Sequence, residues 1–198
     1  MTLLGIDQRH MGVEALAAYQ PEDFLRFDVA ASFGNWTFLN NVTGQFNFGG
    51  GNFTETLYIS DLKVGDAPQS QVAYAVSVFP IEGLYTRLQG RTYWNHYAEF
   101  NPLDRNDPSE AGIQAWRPPG YTVFDLHASY RLGDLIPLWR GGDVRIFWNA
   151  YNLLDKAYIA DALDNSQYNG FDDDHDADDA EVFLGQPLMF NMGFEIKF

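Results

Sequence analysis

LMFNMGFEIKF, residues 188–198, decides how the rest of this chain is read. Leu188, Phe190, Met192, Phe194, Ile196 and Phe198 are large and apolar, while Met189, Asn191, Gly193, Glu195 and Lys197 between them are mostly polar or small. Successive strand residues point to opposite faces, so this spacing describes one β-strand with a greasy side and a charged side. Such a strand fits the wall of a barrel whose outside meets lipid and whose inside meets water.

The composition is compatible with that wall. Phe, Tyr and Trp make up 16% of the 198 residues, an excess that aromatic girdles at two membrane interfaces would explain. A sandwich core would explain it as well. Mean hydropathy is −0.27, and no apolar run reaches the ~18 residues of a spanning helix. Barrel strands average out to neutral hydropathy, so a membrane location stays open. The absence of cysteine removes disulfides, thiolate metal sites and thiol catalysis. A net charge of −15 argues against nucleic acid as a partner, because phosphate contacts need a basic surface.

Working back from the C-terminus, alternation predicts about seven strands, near 11–20, 24–40, 70–80, 83–99, 119–132, 142–158 and 182–198. Charges keep to one parity within a strand: Arg26 with Asp28, Arg87 with Arg91, Asp125 with Arg131, Asp143 with Arg145, Glu195 with Lys197. Chance would produce five such agreements about once in thirty. The opposite parity is apolar, as in Leu25, Phe27, Val29, Ala31 and Phe33, or Val72, Tyr74, Val76 and Val78. Strand 83–99 departs from this, with Thr86, Gly90, Thr92 and His96 where apolar residues are expected.

Short links (20–23, 80–83, and the Gly/Pro-rich 133–142) alternate with long ones (41–69, 100–118, 159–181). Short turns at one end and long loops at the other are expected of an outer-membrane barrel. Single-chain bacterial barrels usually have an even strand number, and two open edges in lipid would leave backbone groups unsatisfied. The chain is therefore expected to be a slice of a larger barrel.

Several stretches resemble one family, the TonB-dependent outer-membrane receptors. Gly5-Ile6-Asp7-Gln8-Arg9-His10 with Gly12-Val13-Glu14 is similar to the family's entry into a late barrel strand. Asp66-Ala67-Pro68 resembles its pre-strand proline segment, and Tyr121–Arg131 (YTVFDLHASYR) its strand with a central Asp and a "SYR" end. Asn152-Leu153-Leu154-Asp155-Lys156, followed by Tyr158, is similar to "NLFDK.Y", with Leu154 in place of the commoner Phe. Asn191, Gly193, Ile196 and Phe198 resemble the signal read by the barrel-assembly machinery. The resemblance implies that residues 1–198 are the C-terminal part of a 22-stranded, plugged barrel. It also implies residence in the outer membrane and contact with its lipid. The plug, the signal peptide and the segment that engages TonB are not among these residues, so the expected start lies upstream.

For the receptor as a whole, the resemblance implies active uptake of a scarce, bulky solute: a ferric siderophore, haem, cobalamin or a glycan. Candidate contacts follow from residue type. Phe46, Phe48, Phe53 and Tyr58, in the glycine-rich QFNFGGGNFTETLY, could stack on such a small molecule or on a glycan ring. A loop packing on itself would use the same residues. Arg87 and Arg91 could guide an anionic solute, or pair with acids such as Asp28 and Asp125 across the strands. Asp172, Asp174, Asp176 and Asp178 offer hard oxygen ligands for Ca²⁺, although the run breaks the EF-hand pattern at its sixth and twelfth positions. The NLLDK stretch suits a strand leaving the membrane without any ligand role. His10, His96, His127 and His175 are scattered, with no metal-ligand spacing. No GxSxG elbow, HExxH pair or P-loop is present, so enzymatic activity is not expected. A reading of another class is a soluble β-sandwich that binds carbohydrate through its aromatics.

Overall fold

The computed structural model describes residues 5–48, 51–132, 143–169 and 174–197. Its strands are β1 (Gln8–Glu22), β2 (Leu25–Phe38), β3 (Val42–Phe48), β4 (Gly51–Leu57), β5 (Ser70–Val78), β6 (Leu84–Trp94), β7 (Tyr121–Arg131), β8 (Asp143–Tyr151), β9 (Ile159–Asp164), β10 (Ala180–Leu184) and β11 (Met189–Lys197). Seven of them form one antiparallel sheet in the order β1-β2-β5-β6-β7-β8-β11. The other four make two hairpins, β3-β4 and β9-β10, each a separate two-stranded sheet.

Register explains the alternation of the sequence. Directly opposed residues share a face. One row therefore runs across all seven strands as Tyr19, Phe27, Val76, Leu88, Leu126, Ala150 and Phe190. One residue along each of the strands β2 to β11, the other face carries Arg26, Ser77, Arg87, His127, Asn149 and Asn191. A one-residue slip anywhere would exchange the two rows, so the two faces hold the register.

Among the described residues no second layer covers either face of the sheet. Every residue of β1 is exposed, and Phe27, Val76, Leu88, Phe190, Met192 and Phe194 are among the exposed large hydrophobics. A sandwich needs a second sheet over one of these faces, and none is present among the described residues. The buried core lies elsewhere. It is built from Phe38 at the end of β2, from Val42, Leu57, Ile59 and Leu62, from Ala98, Phe100 and Ala115, and from Ala162. Apart from Phe38, these belong to the three long connections.

Because the sheet is antiparallel, β2–β5, β6–β7 and β8–β11 all connect at one end, and these are the long links. The expected strands correspond to the seven of the large sheet, with three differences. The stretch 182–198 is two elements, since β10 pairs with β9 and Gly185–Leu188 separates it from β11. The strands placed at 83–99 and 142–158 end earlier, at Trp94 and Tyr151. The hairpin β3-β4, and β9 of the second hairpin, arise inside stretches read as loops.

Gly90 sits on the apolar face because the ring of Tyr74, its register partner, lies across it, where a Cβ would stand. A glycine in a strand interior ordinarily costs about 0.5–1 kcal/mol relative to alanine. Overpacking costs about 1–3 kcal/mol, so the ring decides the sign. Gly90→Ala is expected to lower the urea midpoint, and Tyr74→Leu to remove most of that loss in the double variant. A Gly90→Ala chain at least as stable as the parent would show that the ring moves aside freely.

Candidate functional site

On the polar face the arginines meet carboxylates. Asp28 accepts from Arg26 Nη2 through Oδ1 and from Arg87 Nη1 through Oδ2, both at 2.8 Å. Arg91 Nη2 donates to Asp125 Oδ2 at 2.6 Å. Nearer the strand ends, Arg131 lies 3.8 Å from Asp143 and Arg145 3.9 Å from Glu195. Arg87 and Arg91 are thus held by neighbours, and any ligand must compete with those partners. Beside Arg91 a concave site of about 440 Å³ opens over a floor of Ala30 and Ala73, with Glu14, Gln71, Arg91 and Tyr93 around it. Small side chains opposite large polar ones leave that hollow, of a size that small-molecule sites have.

Asp125 also joins two of the sequence motifs. Its Oδ1 accepts the backbone N–H of Asn152 at 3.0 Å, so the central Asp of β7 holds the start of the NLLDK stretch. Asn152 is buried, with φ 48°, and its side chain closes a turn. Its Nδ2 donates to the carbonyls of Lys156 and Gln186, and its Oδ1 accepts from Lys156 N, each at 2.9 Å. Asp155 Oδ1 takes the N–H of Leu188, also at 2.9 Å. The motif is a clamp between the exit of β8 and the entry of β11, in keeping with a structural role.

Three sequence candidates lie partly or wholly outside the described residues. Asp172 and Phe198 are outside, and the side chains of Phe46, Phe48 and Phe53 are not described. The backbones of Phe46 and Phe53 are register partners in the β3-β4 hairpin, and Tyr58 follows the hairpin half-buried. Asp174, Asp176 and Asp178 are exposed, with one carboxylate oxygen from each within 4.8 Å of the others. Of the C-terminal signal, Asn191 lies on the polar face opposite Asn149, and Ile196 lies opposite Val144. Gly193 has a packing reason of its own: a Cβ there would stand 2.6 Å from Phe147 Cζ.

The long connections contain a charged cluster that no local pattern announced. Arg105 and Asp164 are 1% and 3% exposed in their side chains, and Arg105 Nη2 donates to Asp164 Oδ2 at 2.8 Å. His175 Nδ1 approaches the same oxygen at 2.9 Å, and its Nε2 lies 3.6 Å from Glu110. The backbone N–H of His175 bonds Asp179 Oδ2 at 2.8 Å. Burial acts to raise the Asp164 carboxyl, but the bond from His175 and the charges of His175 and Arg105 hold it below its ordinary range. The Arg105 guanidinium is pulled down by burial, with Asp164 and Glu110 opposing. Asn-Pro at 101–102 and Asp-Pro at 107–108 are turn-initiating dipeptides, and Asn101 and Asp107 cap short 3₁₀ segments. Arg105 between them carried no signal, because its burial is set by partners far along the chain.

His96 is also buried, and among the described residues neither ring nitrogen has a hydrogen-bond partner; an Asp161 carboxylate oxygen lies 3.4 Å from Nε2. Burial pushes its pKa down, against the pull of Asp161 and Asp66. A histidine held neutral in the fold contributes stability that is present above its unfolded pKa and is lost as pH falls through the lowered value. The connections are expected to loosen on acidification over this range, and His96→Gln to reduce the loss, in melting curves from pH 7.5 to 5. Identical pH dependence in parent and variant would remove His96 as the source of the acid response.

This arrangement offers hydrogen bonding and charge pairing on one face, apolar contact on the other, and a packed cap at one end. A scan against protein-family models finds no match for the chain, and a search of curated proteins finds none either.

Proposed function

We propose that this chain is a section of the wall of an outer-membrane β-barrel, the C-terminal part of a TonB-dependent receptor that imports a scarce, bulky solute. The observation that carries the barrel-wall reading is the sheet with two bare and opposite faces. An uncovered row such as Tyr19–Phe27–Val76–Leu88–Leu126 is an aggregation hazard in water and an ordinary surface in lipid. Strands β5, β6, β7, β8 and β11 have 9, 11, 11, 9 and 9 residues, the length a tilted strand needs to cross a bilayer. Long connections at one end and short ones at the other agree with this.

Strand direction constrains what completes the wall. With seven alternating strands, β1 and β11 run the same way, and they form the two edges of the sheet. Joining β11 of one copy to β1 of a like-oriented copy would make a parallel seam. An all-antiparallel barrel therefore takes an odd number of further strands, as the remainder of a 22-stranded wall would supply.

The receptor assignment rests on the sequence resemblance. In it, Asn191, Gly193, Ile196 and Phe198 present the assembly signal, TonB acts through an N-terminal part, and the solute is a ferric chelate, haem, cobalamin or a glycan. The hollow beside Arg91 and the aromatic hairpin are its candidate contacts, and the acidic run with Asp172, Asp174, Asp176 and Asp178 is its candidate for Ca²⁺. Titration calorimetry showing no Ca²⁺ uptake by the folded chain would remove the ion.

Vesicle flotation tests the wall. The chain, refolded from urea in the presence of phosphatidylcholine vesicles, is expected to float with lipid through its apolar row, while its two open edges keep it from closing a wall by itself. A monomer that stays in the aqueous fraction without detergent would overturn the reading.

A further inference from the structure

We propose that the three long connections form one cooperative cap with Arg105 as its keystone, so that they loosen together and not one by one. Arg105 is the point where all three meet. Its carbonyl accepts the N–H of Tyr58, from the β2–β5 connection, at 2.7 Å. Its Nη2 reaches Asp164, in the β8–β11 connection, and its Nη1 bonds the carbonyl of Ile113 in its own connection at 2.9 Å. The guanidinium carbon lies 4.8 Å from the centre of the Phe100 ring, which packs on Phe38 at 5.4 Å.

Other bonds repeat the pattern. Lys63 N donates to Gln114 Oε1 at 2.8 Å, and Gln114 Nε2 to the carbonyl of Asp61 at 3.0 Å, tying the first connection to the second. Glu99 N bonds Ala162 O at 2.9 Å and Asp164 N bonds Glu99 O at 2.7 Å, tying the second to the third. The apolar core beneath draws Leu57, Ile59 and Leu62 from the first, Ala98 and Phe100 from the second and Ala162 from the third.

Loops that are separately mobile have few buried contacts and solvent-exposed backbone bonds, and these have the reverse. Detaching any one of them exposes the shared core. Detaching the third also strands a buried arginine away from its carboxylate, one of the costlier events in a folded chain. The inference does not depend on the sheet being a membrane wall. If it is one, the cap stands at the end of the wall where the three long connections leave the sheet.

The chain has no cysteine, so single-cysteine spin labelling is clean. Labels at the exposed positions Glu55→Cys, Ala111→Cys and Ala177→Cys report the three connections, and Ala18→Cys reports β1. In the full refolded chain, Arg105→Met keeps most of the side-chain volume and removes the charge. It is expected to raise label mobility several-fold at 55, 111 and 177 together, with 18 unchanged. Asp164→Asn attacks the same joint from the third connection and must also mobilise 55 and 111; it serves if Arg105→Met does not fold, as the label at 18 would reveal. A response confined to the substituted connection, or to two of the three, overturns the proposal. So does unchanged mobility throughout.

Discussion

Leu88→Arg is expected to lower partitioning into phosphatidylcholine vesicles by about 30- to 700-fold, the equivalent of about 2–4 kcal/mol for an arginine near the bilayer midplane. Leu88 lies mid-strand on β6, flanked in register by Val76 and Leu126, so the new charge has no polar neighbour in its row. Gln89→Arg places the same charge one residue further along, on the face where Arg87 and Asp28 already pair. There partitioning is expected to stay within a few-fold of the parent. The two variants have the same net charge, so electrostatic attraction to the surface cannot separate them. In a water-soluble fold Leu88, 43% exposed, would accept arginine at almost no cost, and equal behaviour of the two variants would end the membrane reading.

The clamp at Asn152 gives the second large effect. Asn152→Ala removes three hydrogen bonds and leaves the carbonyls of Lys156 and Gln186 without their donor. It also places a Cβ residue with no compensating side chain at positive φ. The lost hydrogen bonds are worth about 0.5–1.5 kcal/mol each, and the left-handed backbone costs about 1–2 kcal/mol more. Allowing for relaxation, the loss should be about 3–5 kcal/mol, near the top of the range for single substitutions. Asn152→Gly relieves only the backbone part and should recover about 1 kcal/mol. Urea unfolding read by Trp148, close to the β8–β11 seam, would measure both; a loss below about 1 kcal/mol for the alanine variant would mean that water replaces the side chain. Asp125→Ala acts on the same joint through Asn152 N–H and Arg91, so its effect and that of Asn152→Ala should fall short of additive.

Much of the sheet was legible because a strand writes its environment into the chain with a period of two. Phe27 and Asp28, or Leu88 and Gln89, name their faces by identity alone, and the observed register carries those faces across the sheet from β2 to β11. Arg87 with Asp28 and Arg91 with Asp125 were also within reach, because opposite charges on one face of neighbouring strands tend to meet. The misplaced ends at Trp94 and Tyr151 lie where alternation outlasts hydrogen bonding: Tyr97 and Tyr158 continue the aromatic pattern after the chain has left the sheet. Gly90 looked like a flaw in the apolar face until Tyr74 was seen to cover it.

By itself, then, the sequence determined two-faced strands, their order and the separation of short from long connections, since each depends on residues close together in the chain. Tertiary structure alone decided where the core lies and what organises it. Leu57, Phe100 and Ala162 converge, and Arg105 finds Asp164, across separations that local pattern cannot encode. A buried charge is recognisable only by the partners that long-range folding brings to it.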